Sequence, residues 1–228
     1  MRFLHVSDFH LHKPWFSWVA ENARHYDATC ITGDFLDMFQ FDEAGTSGRM
    51  QIRWVQNWVK NFPGKLFLIS GNHDFWVSSE ADPMAEGGWL QALRRPGVTV
   101  DGDSEVFGGW TFFCKPWVGG IPPRGKRVVL LAHAPPEGLA VSGEAHGSGG
   151  DFEATHIARG LPRGSIMLSG HIHRPTSWHD ETQFGVRCYN PGVGDRKSPV
   201  PNHIVIDLDR LEASFYGWGE HQGSVSLQ

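Results

Sequence analysis

The sequence predicts an α/β or α+β domain, and two observations lead to this prediction. The first half of the chain alternates short apolar runs of strand length with longer segments of helical period. The second half carries short β-like runs separated by Gly, Asp and Pro. With 228 residues, of which 40% are hydrophobic and 20% charged, the chain can bury a core and is expected to form one domain over residues 1–228.

Five apolar runs are expected to form buried strands. They span residues 3–6, 28–32, 66–69, 128–132 and 165–169. Helices are expected over residues 15–25, 49–61, 81–95 and 152–159. In the second of these helices Ile52, Val55 and Val59 share one side, and Pro63-Gly64 follows its end.

The rest of the chain is expected to be rich in short strands. These are predicted over residues 98–100, 105–107, 110–114, 176–179, 183–189, 203–207 and 213–218. The Gly-rich segment 137–150 has no periodic pattern and is expected to be a mobile loop near the mouth of a site. Asn190-Pro191-Gly192 is expected to form a turn, and residues from Gly217 onward are expected to fray as a tail.

Polar residues able to bind metal follow each of the five buried runs. They are Asp8 and His10, then Asp34, then Asn72, His73 and Asp74, then His133, and finally His171 and His173. Ligands of α/β sheets bind at the carboxyl ends of the strands. If the five strands share one core, these side chains converge on one rim.

The blocks Asp8-Phe9-His10, Gly33-Asp34, Gly71-Asn72-His73-Asp74, His133 and Gly170-His171-Ile172-His173 resemble, in this order, the signature of the calcineurin-like metallophosphoesterases. The resemblance covers roughly residues 1–210. It implies a four-layer αββα sandwich, in which two mixed β-sheets pack face to face with helices on both outer faces.

The donor types indicate which metals would suit such a site. Two carboxylates, four imidazoles and one amide, without thiolates, suit Mn, Fe or Zn. Seven side chains exceed what one tetrahedral ion needs. The family resemblance implies two divalent ions, and Mn is the metal that we expect. It assigns Asp8, His10, Asp34 and His173 to the first ion, and Asp34, Asn72, His133 and His171 to the second.

The same resemblance implies a phosphoesterase whose nucleophile is a hydroxide that bridges the metals. It makes His73 the group that stabilises the transferring phosphoryl group and protonates the leaving oxygen, with Asp74 orienting its ring. The family's protein phosphatases follow Gly-Asp with Val-Asp-Arg-Gly, but here Phe35-Leu36-Asp37-Met38 brings no Arg. A phosphodiester is therefore expected as the substrate. A phosphomonoesterase, a nuclease and a non-catalytic scaffold are the alternatives.

Other residues near these blocks are candidates for contact with substrate. Trp15, Trp76 and Trp117 are candidates for an aromatic wall, and His12, His146 and Arg174 for single contacts. The substrate is expected to be a small-molecule or nucleotide phosphoester, because the net charge of −5 does not indicate a surface that coats nucleic acid. Oligomeric state is not predicted.

The composition also bears on location. Cys30, Cys114 and Cys188 are odd in number and widely spaced, which favours reduced thiols in a cytoplasmic protein. No secretory leader is visible, and no apolar run approaches the ~20 residues of a membrane span.

Overall fold

Two β-sheets lie face to face in the computed structural model, which describes residues 1–39, 47–81, 88–120, 125–144 and 147–227. In chain order the strands are β1 Arg2–Val6, β2 Ala28–Thr32, β3 Leu66–Ile69, β4 Val98–Thr99, β5 Ser104–Phe107, β6 Trp110–Cys114, β7 Val128–Leu131, β8 Gly143–Glu144, β9 Gly147–Ser148, β10 Ile166–Leu168, β11 His179–Glu181, β12 Arg187–Tyr189, β13 His203–Asp207, β14 Glu212–Gly217 and β15 Glu220–Ser226.

The first sheet has seven strands in the order β15-β14-β13-β1-β2-β3-β4. Strands β1 to β4 are parallel, and the three C-terminal strands add to the β1 side as an antiparallel meander. The second sheet has the order β11-β12-β10-β7-β6-β5, with four parallel strands between two antiparallel edge strands. Both sheets are therefore mixed, as expected.

Four helices flank the sheets in the described part of the chain. They are α1 Lys13–Asn22, α2 Gly48–Lys60, α3 Asn72–Ala81 and α4 Phe152–Gly160, and there are single 3₁₀ turns at Ala23–His25 and Gln91–Leu93. Ser47 caps α2 by accepting the Met50 N–H, and Asp151 caps α4 by accepting the Ala154 N–H. Pro14 lies in the first turn of α1, where its missing N–H costs no helical hydrogen bond.

Side-chain alternation along the strands divides the core into layers. In β3, Leu66 and Leu68 pack with α1 and α2, whereas Phe67 and Ile69 face the second sheet. Phe67 stacks there on Phe112, with 4.3 Å between ring centroids. In the second sheet Met167 points the other way, toward α4. The order helix, sheet, sheet, helix confirms the four-layer αββα sandwich.

Several local predictions were wrong. Of the strand expected over residues 183–189 only Arg187–Tyr189 forms, and the strand expected over 176–179 is His179–Glu181. The described residues 88–95 of the predicted helix 81–95 contain only the 3₁₀ turn Gln91–Leu93, and residues 82–87 lie outside the described part. A helix begins earlier instead, at Asn72, with the Phe75 N–H bonded to the Gly71 carbonyl. The expected frayed tail is strand β15, which pairs with β14 over its whole length. Within the expected loop 137–150, the short strands β8 and β9 pair antiparallel.

Candidate metal centre

The predicted metal ligands lie at the carboxyl ends of β1, β2, β3, β7 and β10, at one edge of the two packed sheets. Three overlapping sets of side chains have ligand atoms within 4.8 Å of one another. These sets are Asp8 with His10 and His173, Asp8 with Asp34 and His133, and His10 with Asp34 and His73. The convergence expected from the sequence is present in the structure.

The first cluster is formed by Asp8, His10 and His173. The Nε2 atoms of His10 and His173 lie 3.2 Å apart. Asp8 Oδ1 lies 3.6 Å from Nε2 of His173 and 4.0 Å from Nε2 of His10. Three potential ligand atoms therefore surround one point.

The second cluster is formed by Asn72, His133 and His171. Asn72 Oδ1 lies 3.0 Å from His133 Nε2 and 3.0 Å from His171 Nδ1. The other nitrogen of His133, Nδ1, lies 2.6 Å from the Thr32 carbonyl oxygen, which acts as its acceptor and leaves Nε2 without a proton in the neutral ring. His171 and His173 are thus directed to different clusters, as their assignment to different ions requires.

Asp34 lies between the two clusters. Its Oδ2 is 3.4 Å from His133 Nε2 in the second cluster and 3.9 Å from His10 Nε2 in the first. Its Oδ1 accepts the backbone N–H of His73 at 2.9 Å, which fixes the plane of the carboxylate. One carboxylate is therefore shared by both clusters.

The backbone is in the left-handed region at four of these residues. The φ angles are +56° at Asp8, +42° at His10, +53° at Asp34 and +66° at His171. Non-glycine residues rarely adopt this conformation, and it concentrates at functional sites where the surrounding structure enforces it. Here the enforcing contacts include His10 N–H to the Asp34 carbonyl at 2.8 Å and Asp8 N–H to the Gly33 carbonyl at 3.1 Å.

Two glycines are required because neighbouring ligand side chains approach them closely. A Cβ at Gly71 would lie 2.7 Å from the Asp34 backbone N and 2.8 Å from His133 Cε1. A Cβ at Gly170 would overlap Asp8 Oδ2 and the Ser7 hydroxyl. These glycines let the ligand loops pack directly on one another.

The electrostatics of the cluster favour bound positive charge. Burial opposes a charge on His133, but the adjacent carboxylate of Asp34 raises its pKa to about 9. Burial also opposes a charge on Asp8, yet the contact with His173 and nearby imidazoles lower the pKa of Asp8. Burial lowers the pKa of His10. Without bound metal, the carboxylates thus remain ionised and favour a proton on His133. A cluster of ionised carboxylates and imidazoles is also suited to binding divalent cations.

His73 and Asp74 are both buried beside the clusters but have different partners from those expected. The Met38 N–H donates to His73 Nδ1 at 3.3 Å, and the His73 ring lies 4.4 Å from that of His10. The oxygens of Asp74 accept the N–H groups of Leu36 at 3.0 Å and Gly71 at 2.9 Å. The orienting contact on His73 therefore comes from the Met38 backbone, and Asp74 joins the loops that follow β2 and β3.

A family model described as calcineurin-like phosphoesterase matches residues 1–175. The chain belongs to this family. Members of the family are metal-dependent hydrolases of phosphoesters, and the side chains gathered here include groups able to bind divalent ions.

Individual relatives are distant in sequence. The chain is 22% identical to a UDP-2,3-diacylglucosamine hydrolase of Cellvibrio japonicus, over 77% of this chain and 83% of that protein. Among solved structures, a dimetal phosphatase from Danio rerio is similar at a TM-score of 0.63 and 10% identity, covering 100% of this chain and 99% of that one. The phosphoesterase Yfce from E. coli is similar at 0.53 and 18%, covering 100% of both chains. These structural likenesses show the shared fold of calcineurin-like phosphoesterases.

The predicted aromatic wall is partly wrong. Trp15 is 1% exposed and donates its indole N–H to the Ser198 carbonyl, so it belongs to the core. Trp117 does line the centre, with its ring 5.4 Å from that of His133 and 5.6 Å from that of His171. Trp76 is exposed on α3, and its role stays a prediction. Phe39, which sequence reasoning missed, is exposed and lies 5.4 Å from the His73 ring.

The other candidate contacts have mixed outcomes. His12 packs edge-on against Trp15 at 4.5 Å between ring centroids. Arg174 is exposed directly after His173. His146 lies outside the described residues. Substrate contact by His12 and Arg174 stays a prediction.

Asn190 is a supporting residue that sequence reasoning described only as part of a turn. Its amide nitrogen donates to the carbonyls of Val141, Gly170 and Ile172 at 3.0 to 3.2 Å, and its oxygen accepts the Gly192 N–H at 2.8 Å. The side chain is fully buried. It therefore holds the loop that carries His171 and His173. A single sequence gives no signal for this role beyond the Asn-Pro-Gly turn itself.

Among the described residues, no helix has the length and apolar character needed to cross a membrane.

Proposed function

We propose that this chain is a dinuclear phosphodiesterase that uses Asp34 as the carboxylate shared by two divalent metal ions. In this proposal Asp8, His10, Asp34 and His173 hold one ion, and Asp34, Asn72, His133 and His171 hold the other. Mn²⁺ is the expected metal, and Fe or Zn would suit the same nitrogen and oxygen donors.

The observation that carries the proposal is the position of Asp34 Oδ2 between His10 Nε2 at 3.9 Å and His133 Nε2 at 3.4 Å. Each side of Asp34 offers further nitrogen and oxygen donors. In one cluster Thr32 holds His133 and Asn72 contacts His171. In the other cluster Asp8 contacts His173. A pair of divalent ions there would polarise the phosphoryl group and supply hydroxide as nucleophile near neutral pH.

His73 is positioned to act on the leaving group. Because Nδ1 accepts the Met38 N–H, the neutral ring carries its proton on Nε2. The ring is 8% exposed and lies beside His10, with a potential ligand atom within 4.8 Å of those of His10 and Asp34. In this tautomer Nε2 can donate a hydrogen bond to an oxygen of the transferring phosphoryl group. To protonate the leaving oxygen, the ring must first bind a second proton at Nδ1, because a neutral imidazole is too weak an acid. Proton transfer of this kind contributes about 10²–10⁴-fold to rate.

A diester substrate is supported by the residues that follow Asp34. The segment Phe35-Leu36-Asp37-Met38 that follows Asp34 contains no Arg, and Met38 bonds to His73 through its backbone N–H. A monoester has one more ionised oxygen than a diester and gains most from a bidentate guanidinium. The relative from Cellvibrio japonicus, named as a hydrolase of a UDP-linked compound, agrees with a phosphate that bears organic groups on both sides.

The proposed setting is the reducing cytoplasm, which the three buried free thiols of Cys30, Cys114 and Cys188 support. The proposed substrate is a small-molecule or nucleotide phosphoester.

The test compares kcat/KM for bis-p-nitrophenyl phosphate and p-nitrophenyl phosphate on the Mn²⁺-loaded protein. We expect the diester to be preferred. A tenfold or greater advantage for the monoester, about 1.4 kcal/mol in transition-state stabilisation, would overturn the diesterase proposal in favour of a phosphomonoesterase.

A further inference from the structure

A cavity of about 890 Å³ opens directly beside His173. Its walls come from the segment after His173, the loop after Asn190-Pro191, and the β14–β15 hairpin. Binding sites for small ligands typically enclose about 300–1,000 Å³. The cavity is therefore large enough for one organic group of a phosphoester whose phosphorus atom lies at the metal centre.

Two guanidinium groups line this cavity, Arg174 and Arg196. Arg196 is held by Asp37, with 3.4 Å between Nη2 and Oδ2, and Asp37 adjoins Met38, whose N–H binds His73. Arg174 follows His173 directly and makes no hydrogen bond or ion pair within the described part of the chain. Arg174 thus offers a positive charge beside the centre that no described carboxylate shares, whereas the charge of Arg196 is shared with Asp37. Asp195, which also lines the cavity, accepts the Lys197 N–H.

Trp218, which lines the cavity, lies in an unusual turn. Gly217 pairs with Glu220, so Trp218 and Gly219 form a two-residue hairpin turn, with φ angles of +54° and +81°. Turns with both central residues at positive φ favour Asn-Gly, and a bulky residue at the first position is strained. The Trp218 side chain is nevertheless 69% exposed, so packing in the core does not explain its presence.

Strain together with an exposed aromatic ring at a cavity wall indicates a function for that ring. An exposed aromatic ring can stack on another flat ring. All nucleobases have such a flat face, so any of them can stack on Trp. Guanidinium groups nearby suit the phosphate oxygens of the same molecule.

We propose that this cavity binds the nucleoside half of a nucleotide ester, with the base on Trp218 and additional phosphate oxygens near Arg174 and Arg196. This inference rests on the proposed function, because it places the scissile phosphoryl group at the metal centre. It narrows the substrate to esters of nucleoside phosphates, and it assigns base binding to the β14–β15 turn.

The first test uses Trp218→Asn, which removes the ring and places the residue favoured by the turn, so the variant is expected to fold. Thymidine 5′-(p-nitrophenyl phosphate) and methyl p-nitrophenyl phosphate share a leaving group and differ in the nucleoside. We expect the ratio of kcat/KM for the nucleoside ester to that for the methyl ester to fall about tenfold, through KM.

Leu211→Asn is the matched control. Leu211 is also an exposed apolar residue in a turn, with φ of +54°, but it does not line the cavity. This variant should keep the substrate ratio of the unmodified protein. An unchanged ratio in Trp218→Asn would overturn the proposal.

Binding of ADP and of inorganic pyrophosphate to the Mn²⁺-loaded protein, measured by calorimetry, separates this proposal from the proposed function. We expect Trp218→Asn to raise the Kd of ADP about tenfold with a much smaller effect on pyrophosphate, and Arg196→Gln to raise both. If neither ester is hydrolysed but ADP binding still depends on Trp218, the proposed function is wrong and the nucleotide site stands. If the esters are hydrolysed but Trp218→Asn leaves the Kd of ADP unchanged, the proposed function stands and the nucleotide site is wrong.

Discussion

In the candidate metal centre Asp8, Asp34 and His133 are at most 2% exposed, whereas in the cavity beyond His173 the side chains of Arg174 and Trp218 stand in solvent. The centre is fixed by contacts to the main chain, including the Thr32 carbonyl on His133 and the His73 N–H on Asp34. The cavity wall combines packed side chains, such as Trp178 stacked on Phe215, with the exposed side chains of Arg174 and Trp218. In our proposal the chemistry takes place in the buried centre, and the organic group binds at a separate surface that includes these exposed side chains.

The largest effect is expected from His73→Ala, which tests the candidate metal centre. We expect kcat for the diester to fall by about 10²–10⁴-fold, because in the proposed function His73 is the proton donor to the leaving oxygen. The metal content should stay nearly unchanged. His156→Ala, on the exposed face of α4, is the control and should alter neither quantity. Loss of metal in His73→Ala would make His73 a ligand, a role that its proximity to His10 and Asp34 also permits.

Asn190 lies where the two regions meet, so its replacement sharpens the comparison. Asn190→Asp would place an oxygen against the three carbonyls that the amide now serves, and the loop of His171 and His173 should shift. Loss of such supporting contacts typically lowers metal affinity by about 10–100-fold. Titration with Mn²⁺ measures this change. Asn61→Asp, at the exposed end of α2, should bind metal as the unmodified protein does, and equal affinities in the two variants would contradict the role of Asn190.

The smallest expected effect is a pH-dependent change in the free energy of unfolding, which comes from the buried carboxyl of Asp101. Burial raises the pKa of Asp101 to about 6, although its carboxylate accepts the Ser70 N–H. The ordinary pKa is 3.8, so the protonated carboxyl is favoured in the folded state and stability is lost as pH rises toward and through about 6. Asp101→Asn keeps an oxygen acceptor and removes this titration.

We therefore expect the gain in unfolding free energy of Asp101→Asn to be larger at pH 8 than at pH 5, by about 1 kcal/mol. Urea denaturation at both pH values measures it. Asp103→Asn, whose partner Arg94 is on the surface, serves as the control. A gain that is the same at both pH values would show that Asp101 does not titrate in this range.

The parts of the molecule that could be predicted from sequence are those with a local signal. The apolar runs at Ala28–Thr32 and Leu66–Ile69 form strands with those bounds, because short buried runs have few alternatives. The convergence of the candidate ligand side chains follows from their positions at the ends of such strands. Helix α3 was missed because Gly71-Asn72 has the composition of a turn, although Asn72 is the first residue of a helix.

Features that depend on contacts distant in sequence could not be predicted. Arg196 meets Asp37 across 159 positions, and the Trp15 indole meets Ser198 across 183. Strand β15 was missed because its sequence, with Gly219 and Gly223 in or beside it, has little strand character alone, and its pairing with β14 supplies the stability. The left-handed backbone at Asp8 and His171 likewise follows from the packing of the loops.

The most direct test of the account is the number of Mn²⁺ ions that the reconstituted protein binds. We expect two per chain, and we expect Asp34→Asn to weaken both, because the carboxylate between His10 and His133 loses its charge. Asp37→Asn, a neighbouring buried carboxylate outside both clusters, should still bind two ions. One ion or none in the correctly folded, fully loaded protein would contradict the dinuclear centre.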